Sequence, residues 1–216
     1  MRPALARLMP FLLWVLGASA CVSKPAVTTQ IYALDPPPIR APTPAAGARI
    51  VSVSRVEVAP QFASRSLTYR SGPHSFERDP YATLAASPRE LLLAILRAAL
   101  ANADFVREVV EPGGPVAPDV LVEAYLSDLE GDFTVPDKPA AAVALEMVIL
   151  PVPPAPEPIL PVLRKVYARR LPLAEKSAGA VADAWNQGLN GIVEEFLADA
   201  RAALACPPPA PAGAPR

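Results

Sequence analysis

Proline sets the strongest limit on how this chain can fold. The chain has 29 prolines among its 216 residues. Proline lacks a backbone N–H and has a fixed φ, so clusters of proline are excluded from helix interiors and from the middle of a sheet. We therefore expect the clusters to form linkers, loops and a tail, with the regular elements between them. The three clusters lie in residues 36–44, 151–161 and 207–215.

The segments between the clusters predict a set of β-strands. Apolar residues recur at every second position in residues 120–126 and 143–149, which is the pattern of a strand with one buried face. The turn residues Ser71-Gly72-Pro73 predict a β-hairpin between the extended runs on either side. The predicted strands are residues 28–34, 49–59, 67–70, 74–77, 105–110, 120–127, 143–149 and 163–171.

Two helices are predicted, and the first has a clear start. Ser87-Pro88-Arg89-Glu90 fits a capping box with proline at the first helical position, followed by an apolar stripe that runs to about Asn102. A second helix is expected over residues 177–204, with Trp185 on its apolar face. The order of elements indicates a single α+β domain, in which two main helices pack on one face of a largely antiparallel mixed sheet.

The first 21 residues have the parts of an export signal. Arg2 and Arg7 precede an apolar run over residues 8–16, which is too short to span a bilayer because a membrane helix needs about 20 apolar residues. Small residues follow, which predicts cleavage between Ala20 and Cys21. Because Ala18-Ser19-Ala20 is also an ordinary secretory cleavage site, simple secretion stays the alternative.

Cys21 directly after the cleavage site favours a lipid anchor. The sequence Ala18-Ser19-Ala20-Cys21 resembles a lipobox, although that pattern more often has Leu at the first position. We expect diacylglycerol on the thiol and an acyl chain such as palmitate on the new N-terminus, which together exceed the two-signal threshold for stable anchoring. Val22, where inner-membrane lipoproteins often have Asp, favours the periplasmic face of the outer membrane.

These predictions divide the chain into four parts. Residues 1–20 are the signal peptide, and residues 21–48 hold the lipidated N-terminus, the first short strand and a proline-rich linker. Residues 49–205 form the α+β domain, which the strand at about 28–34 joins, and residues 206–216 form a disordered tail. Without residues 1–20 the chain keeps 18 basic and 21 acidic residues, so it has no electrostatic footprint for nucleic acid.

The residues that carry chemistry indicate a binding or scaffolding protein and not an enzyme. The chain has one histidine, His74, beside the predicted hairpin turn and without a nucleophile motif, so an exported enzyme is the weakest alternative. No metal or cofactor motif is present in the sequence. Cys206 is expected to be a free thiol if Cys21 is lipidated, and the two could pair if the protein is only secreted.

Several short motifs, in order, resemble one family. They are IYALDPPP (31–38), VSVSRVEVAPQF (51–62), LTYRSG (67–72), FERDPYATLAASPRELL (76–92) and a Trp-bearing C-terminal helix. The chain resembles the ABC-type transport auxiliary lipoproteins, the PqiC-like components encoded with MCE (mammalian cell entry) transport systems. It departs from the family at Thr83-Leu84-Ala85, where a Trp often follows the D-P-Y element.

The resemblance implies a non-enzymatic subunit that works with an MCE-domain protein and, through it, an ABC permease and ATPase. The cargo would be a phospholipid or another hydrophobic molecule that moves between membranes. A possible homo-oligomer is implied by a ring-forming partner. Residues 36–44 are expected to act as a semi-rigid spacer between the lipid and the domain. A free-standing lipid or small-ligand binding lipoprotein and an outer-membrane assembly factor stay open as alternatives.

The predicted hairpin is the candidate partner surface. It carries aromatic and arginine side chains on a turn, and such residues are enriched in interfaces. Tyr69 and Phe76 also fit cross-strand core positions, which is the alternative interpretation. The candidate partner-binding residues are Tyr69, Arg70, Phe76 and Arg78.

Overall fold

The computed structural model describes residues 28–38, 40, 42–153 and 158–205. The predicted signal peptide, its cleavage site between Ala20 and Cys21, the lipidation at Cys21 and the tail from Cys206 lie outside the described residues. The elements are β1 (Gln30–Tyr32), β2 (Arg49–Val58), a short 3-10 turn (Pro60–Phe62), β3 (Ser66–Gly72), β4 (Ser75–Leu84), α1 (Pro88–Ala101), β5 (Val106–Val110), β6 (Val120–Asp132), β7 (Ala140–Pro151), β8 (Leu163–Pro172) and α2 (Ala178–Ala205).

The eight strands of the described residues form one open sheet around the long strand β6. Along one edge, β7 pairs antiparallel with the whole of β6, and β8 pairs antiparallel with β7. Along the other edge, β2 pairs in parallel with the first half of β6 and in parallel with β5. The last two residues of β6 pair in parallel with β3, whose hairpin partner β4 pairs in parallel with β1. The sheet is mixed, with its longest ladders antiparallel, and the predicted α+β class is confirmed.

One face of the sheet supplies the core. Alternate residues of β6 and β7, including Val122, Leu126 and Leu145, are at most 2% exposed, as period-two alternation predicts. Helix α1 packs against β2 and β5, α2 packs against β7 and β8, and the two helices contact each other. Both helices therefore lie on the same face. The capping box is confirmed, since the Ser87 hydroxyl accepts the backbone N–H of Glu90 at 3.3 Å and the Glu90 carboxylate accepts that of Ser87 at 3.0 Å.

Helix α2 is held close to the sheet at two points. The indole Nε1 of Trp185, which is 1% exposed, donates to the backbone carbonyl of Glu130 at 3.2 Å. Gly188 lies so near β7 that an added Cβ would be 2.7 Å from Cγ1 of Val143. A larger residue at this position would move the helix away from the sheet.

Several strands are longer than the sequence predicts, and β4 and β6 continue past an interruption of their pattern. Strand β4 continues past residue 77, although Pro80 interrupts the alternation of the strand. The Asp79 carboxylate stabilises the chain there by accepting the N–H groups of Tyr81 and Ala82, at 2.8 and 2.9 Å. Strand β6 continues past residue 127 through a bulge between Leu126 and Asp128. Glu130 and Asp132, which follow this bulge, are paired with Arg70 and Arg170, which offsets the cost of placing them in the sheet.

The expectation of a spacer over residues 36–44 is wrong for the part that the structure describes. The backbone N–H of Asp35 donates to Oδ1 of Asn186 at 2.8 Å, and that of Arg40 donates to Oδ1 of Asn102 at 2.6 Å. The amide of Asn102 also donates to the carbonyl of Pro38 at 2.9 Å. These contacts dock Asp35, Pro38 and Arg40 on the two helices, so this part of the segment lies against the domain.

Candidate functional site

The β3–β4 hairpin carries the four predicted partner-binding residues, but not all on one face. Arg70 lies opposite Phe76 across the hairpin, and Arg78 lies opposite Thr68. Strand β3 also pairs with the end of β6, so Tyr69 is beside Gly131 and Arg70 is beside Asp132. Because neighbouring residues of a strand point to opposite faces, Tyr69 and Arg70 lie on opposite faces of the sheet.

Tyr69 is a structural residue on the helix-covered face. Its ring stacks on Phe133 at 5.1 Å between centroids, and its hydroxyl donates to Asp79 at 2.7 Å. Burial and this hydrogen bond raise the pKa of Tyr69 far above its usual value. Gly131 leaves room for the ring, since a Cβ there would lie 2.9 Å from it. The phenol is therefore engaged within the domain and is not free for a partner.

Arg70 is engaged on the opposite face. Its guanidinium makes a bidentate pair with Glu130, at 2.7 and 3.0 Å, and this pairing raises the pKa of Arg70. The guanidinium also lies 4.8 Å from the centre of the Phe76 ring, which packs edge to face on Phe62 at 5.8 Å. Arg70 thus connects the hairpin to the buried end of β6.

Phe76 and Arg78 are the two predicted residues that face solvent. Phe76 is 39% exposed although it contacts Phe62 and Arg70. Arg78 is exposed and makes no ion pair within residues 28–38, 40, 42–153 and 158–205. The hairpin as a partner surface stays a prediction, and it rests on these two side chains.

A second pair at the end of β6 was not foreseen from the sequence. Asp132 is 7% exposed and pairs with Arg170 of β8 at 2.7 Å. Burial raises the pKa of Asp132, but hydrogen bonds from Thr134 and Arg170 outweigh burial, so the pKa lies below its usual value. The acidic residues at 128–132 favour the end of a strand, so the sequence predicts that the strand stops at residue 127. Arg170, which pairs with Asp132, is too far away in the sequence to indicate that the strand continues.

A family model described as "ABC-type transport auxiliary lipoprotein component" matches residues 32–196. The chain belongs to this family. The matched range extends from β1 almost to the end of α2, so it takes in the hairpin, both helices and the paired acids of β6. A comparison with curated proteins found no match.

Two solved structures share the fold of this auxiliary lipoprotein. Protein XCC0632 from Xanthomonas campestris, described as a DUF330 protein, is 19% identical with a TM-score of 0.66, and the match covers 81% of this chain and 96% of that one. A crystal structure titled only as an uncharacterized protein is 12% identical with a TM-score of 0.59, covering 80% and 99% of the two chains. At these identities the likeness concerns the fold alone.

Membership of the family accords with the predicted non-enzymatic role, because the family is a transport component. His74 is exposed in the β3–β4 turn. The structure brings together no group of three or more His, Cys, Asp or Glu suited to a metal within its described residues. No helix of the described ranges is long and apolar enough to cross a membrane.

The ligand-binding alternative needs an apolar pocket between the sheet and the helices. An apolar recess of about 410 Å³ is present between α1 and the edge strand β5, where it is open to solvent. Its walls include Pro36 and Pro37 of the docked proline segment, Ala98 of α1 and Val109 of β5. The recess is therefore a surface groove and not an enclosed site within the core.

Proposed function

We propose that this protein is an outer-membrane-anchored periplasmic subunit of an MCE-type ABC transport system that moves lipid or another hydrophobic substrate between membranes. The observation that carries the proposal is the family match over residues 32–196 in a chain with Cys21 directly after a small-residue cleavage site. The subunit binds and scaffolds. Energy comes from the separate ATPase, because this chain has no Walker sequence.

The anchor in this proposal is the lipid on Cys21, and the folded domain stays close to the membrane. Gln30, where β1 begins, is nine residues after Cys21 in the sequence. A fully extended chain of that length reaches at most about 30 Å. Because Asp35, Pro38 and Arg40 are docked on the helices and follow β1, they add nothing to this reach.

Capture of the full-length protein from detergent-solubilised membranes tests this function. We expect the lipidated protein to retain the MCE-domain protein and, through it, the permease and the ATPase. Retention of an outer-membrane barrel protein without any ABC subunit would replace the proposal with the assembly alternative. Lipid that co-purifies with the isolated protein, when no transport subunit is retained, would favour the free-standing lipid-binding alternative.

A further inference from the structure

Neither helix covers the second face of the sheet. Tyr167 of β8 packs against Phe196 of α2, with 6.2 Å between ring centres, so the odd-numbered residues of β8 point toward the helices. Because neighbouring residues of a strand point to opposite faces, the even-numbered residues of β8 and of its partner β7 point away from them. We call this side of β6, β7 and β8 the open face. On β6 it includes Glu123, Tyr125, Asp128, Glu130 and Asp132.

The open face is large enough for a protein partner. Strand β7 has 12 residues, which is roughly 40 Å, and the adjacent strands β8, β7, β6 and β2 are together about 20 Å wide. These dimensions give about 800 Å², the area that each partner contributes to an interface of standard size. Arg70, Phe76 and Arg78 of the β3–β4 hairpin point to the same side, because Arg70 lies beside Asp132 and opposite Phe76. The hairpin therefore borders the open face.

Tyr125 and Val166 form the exposed apolar centre of the open face. Their side chains are 38% and 62% exposed, and both lie beside Glu146 of β7, one in each ladder. The next pair along β7 and β8 is Ala144 with Ala168, so a shallow trough runs next to the two larger side chains. Tyrosine is enriched at the centre of protein interfaces. These residues therefore provide an apolar contact for a partner.

The open face also has two carboxylates that its arginines do not neutralise. Glu123 and Asp128 make no ion pair within the part of the chain that the structure describes. They precede and follow Tyr125 on the same face of β6. Four arginines on or next to this face are each bonded to another carboxylate, in the pairs Arg55–Glu57, Arg70–Glu130, Arg164–Glu146 and Arg170–Asp132.

A recess beside Tyr125 has room for one side chain of a partner. Its volume is about 210 Å³, below the range of about 300–1,000 Å³ that is typical of small-molecule sites. Its walls include Glu123, Tyr125 and Val148, and the ion pairs of Arg55 and Arg164 bound it on two sides. Glu123 and the tyrosine ring are left to contact an incoming group. A Lys or Arg side chain fits both, because it pairs with a carboxylate and packs over an aromatic face.

The charge of the open face decides which kind of partner it fits. Unpaired carboxylates repel the anionic headgroups that attract protein segments to a membrane surface. A second copy of this chain would bring the same unpaired carboxylates to the interface, and like charges across an interface weaken binding. A different protein that presents a basic side chain next to apolar ones complements both the charge and the apolar centre.

We propose that the open face binds a protein partner that places a Lys or Arg side chain over Tyr125 and against Glu123, with apolar side chains over Val166 and the adjoining trough. The chemistry of the partner follows from the residues of the open face. In identifying it as the MCE-domain protein of the transport system, we rely on the proposed function.

Neutral substitutions of matched size test the open face. The double variant Glu123→Gln with Asp128→Asn removes both unpaired carboxylates and keeps the shape of the surface. It should bind the co-expressed MCE-domain protein at least about tenfold more weakly than wild type, and its binding should depend less on salt. The control, Asp183→Asn with Glu194→Gln, removes two exposed carboxylates of α2 on the other side of the sheet and should bind like wild type. Urea midpoints of all three proteins should agree. Binding by the first variant that equals wild type would overturn the inference.

Site-specific photo-crosslinking in cells identifies what lies on the open face. A photoreactive amino acid in place of Val166 should crosslink to the MCE-domain protein, and one in place of Glu194 should not. Crosslinks from position 194 alone, or from position 166 to a second copy or to membrane lipid, would overturn the inference while the proposed function stood. A wild-type protein that captures no transport subunit would overturn both.

Discussion

The guanidinium of Arg70 donates two hydrogen bonds, of 2.7 and 3.0 Å, to the carboxylate of Glu130, whose side chain is only 4% exposed. Removal of Arg70 would leave a buried carboxylate without its charged donor. We expect Arg70→Ala to lower the free energy of unfolding by about 3 kcal/mol, measured by urea denaturation with Trp185 fluorescence.

The double variant Arg70→Met with Glu130→Leu is the control for this pair. Replacement of both partners with apolar residues removes the unpaired charge, so the double variant should be more stable than Arg70→Ala alone. An Arg70→Ala protein that unfolds within about 0.5 kcal/mol of wild type would show that the pair contributes little.

Substitution of Arg78 tests the hairpin as a partner surface without disturbing the fold. The side chain is exposed, so Arg78→Ala should unfold within about 0.5 kcal/mol of wild type. We expect this variant to capture the transport subunits more weakly than wild type, because Arg78 is one of the two solvent-facing side chains on which the hairpin prediction rests. If Arg78→Ala captures the transport subunits as well as wild type does while its unfolding is unchanged, the hairpin prediction is wrong.

Gly188 and Gly191 of α2 should respond oppositely to alanine. A Cβ at Gly188 would lie 2.7 Å from Val143 and 3.1 Å from Leu171, whereas at Gly191 the nearest atom is Nε of Arg169, at 3.6 Å. We expect Gly188→Ala to destabilise the domain by about 1–3 kcal/mol through overpacking. Gly191→Ala should stabilise it by up to about 1 kcal/mol through helix propensity. Equal thermal melting temperatures for both variants would contradict the close approach of α2 to β7.

Acid should weaken the contact between β8 and α2. Hydrogen bonds from Lys165 lower the pKa of Glu195 and of Asp199, with further donors from Arg169 and Tyr167. A carboxylate with a lowered pKa in the folded state contributes stability above its unfolded pKa of about 4, and that contribution is lost as the pH falls through the folded pKa.

The matched variant for this effect is Lys165→Met. Urea midpoints of wild type should be steady between about pH 7 and pH 5 and then fall below about pH 4. Lys165→Met should start from a lower midpoint and fall less steeply in acid. Parallel curves for the two proteins would mean that Lys165 does not hold these carboxylates ionised.

Most of the fold could be predicted from the sequence, because its local patterns favour the same helices and strands that tertiary packing stabilises. The capping box at Ser87 and the alternation in β6 and β7 are local features, and both persist in the structure. What sequence could not provide depends on remote partners. No residue near Glu130 in the sequence indicates that its partner is Arg70. Likewise, no residue near Asp35 or Arg40 indicates the hydrogen bonds to Asn186 and Asn102, which dock a segment that we expected to be a spacer.

The candidate site was predictable only in part, for the same reason. The sequence predicted the hairpin and its four named residues. It did not predict that Tyr69 stacks on Phe133 or that Arg70 pairs with Glu130, because those partners are about 60 residues away in the sequence. The sequence predicted a break at residues 112–115 and a loop within residues 151–161, while the hydrogen bond from Val152 to the carbonyl of Asp119 follows from the pairing of β6 with β7.

Fractionation of cells that express wild type or Cys21→Ser tests the central claim, a lipid-anchored periplasmic subunit, most directly. Wild type should sediment with the outer membrane and incorporate labelled palmitate. The Cys21→Ser variant should incorporate no label and appear in the soluble periplasmic fraction, with a thermal melt unchanged from wild type. Cys21→Ser protein that still sediments with the outer membrane in a strain without the transport partners would contradict the account.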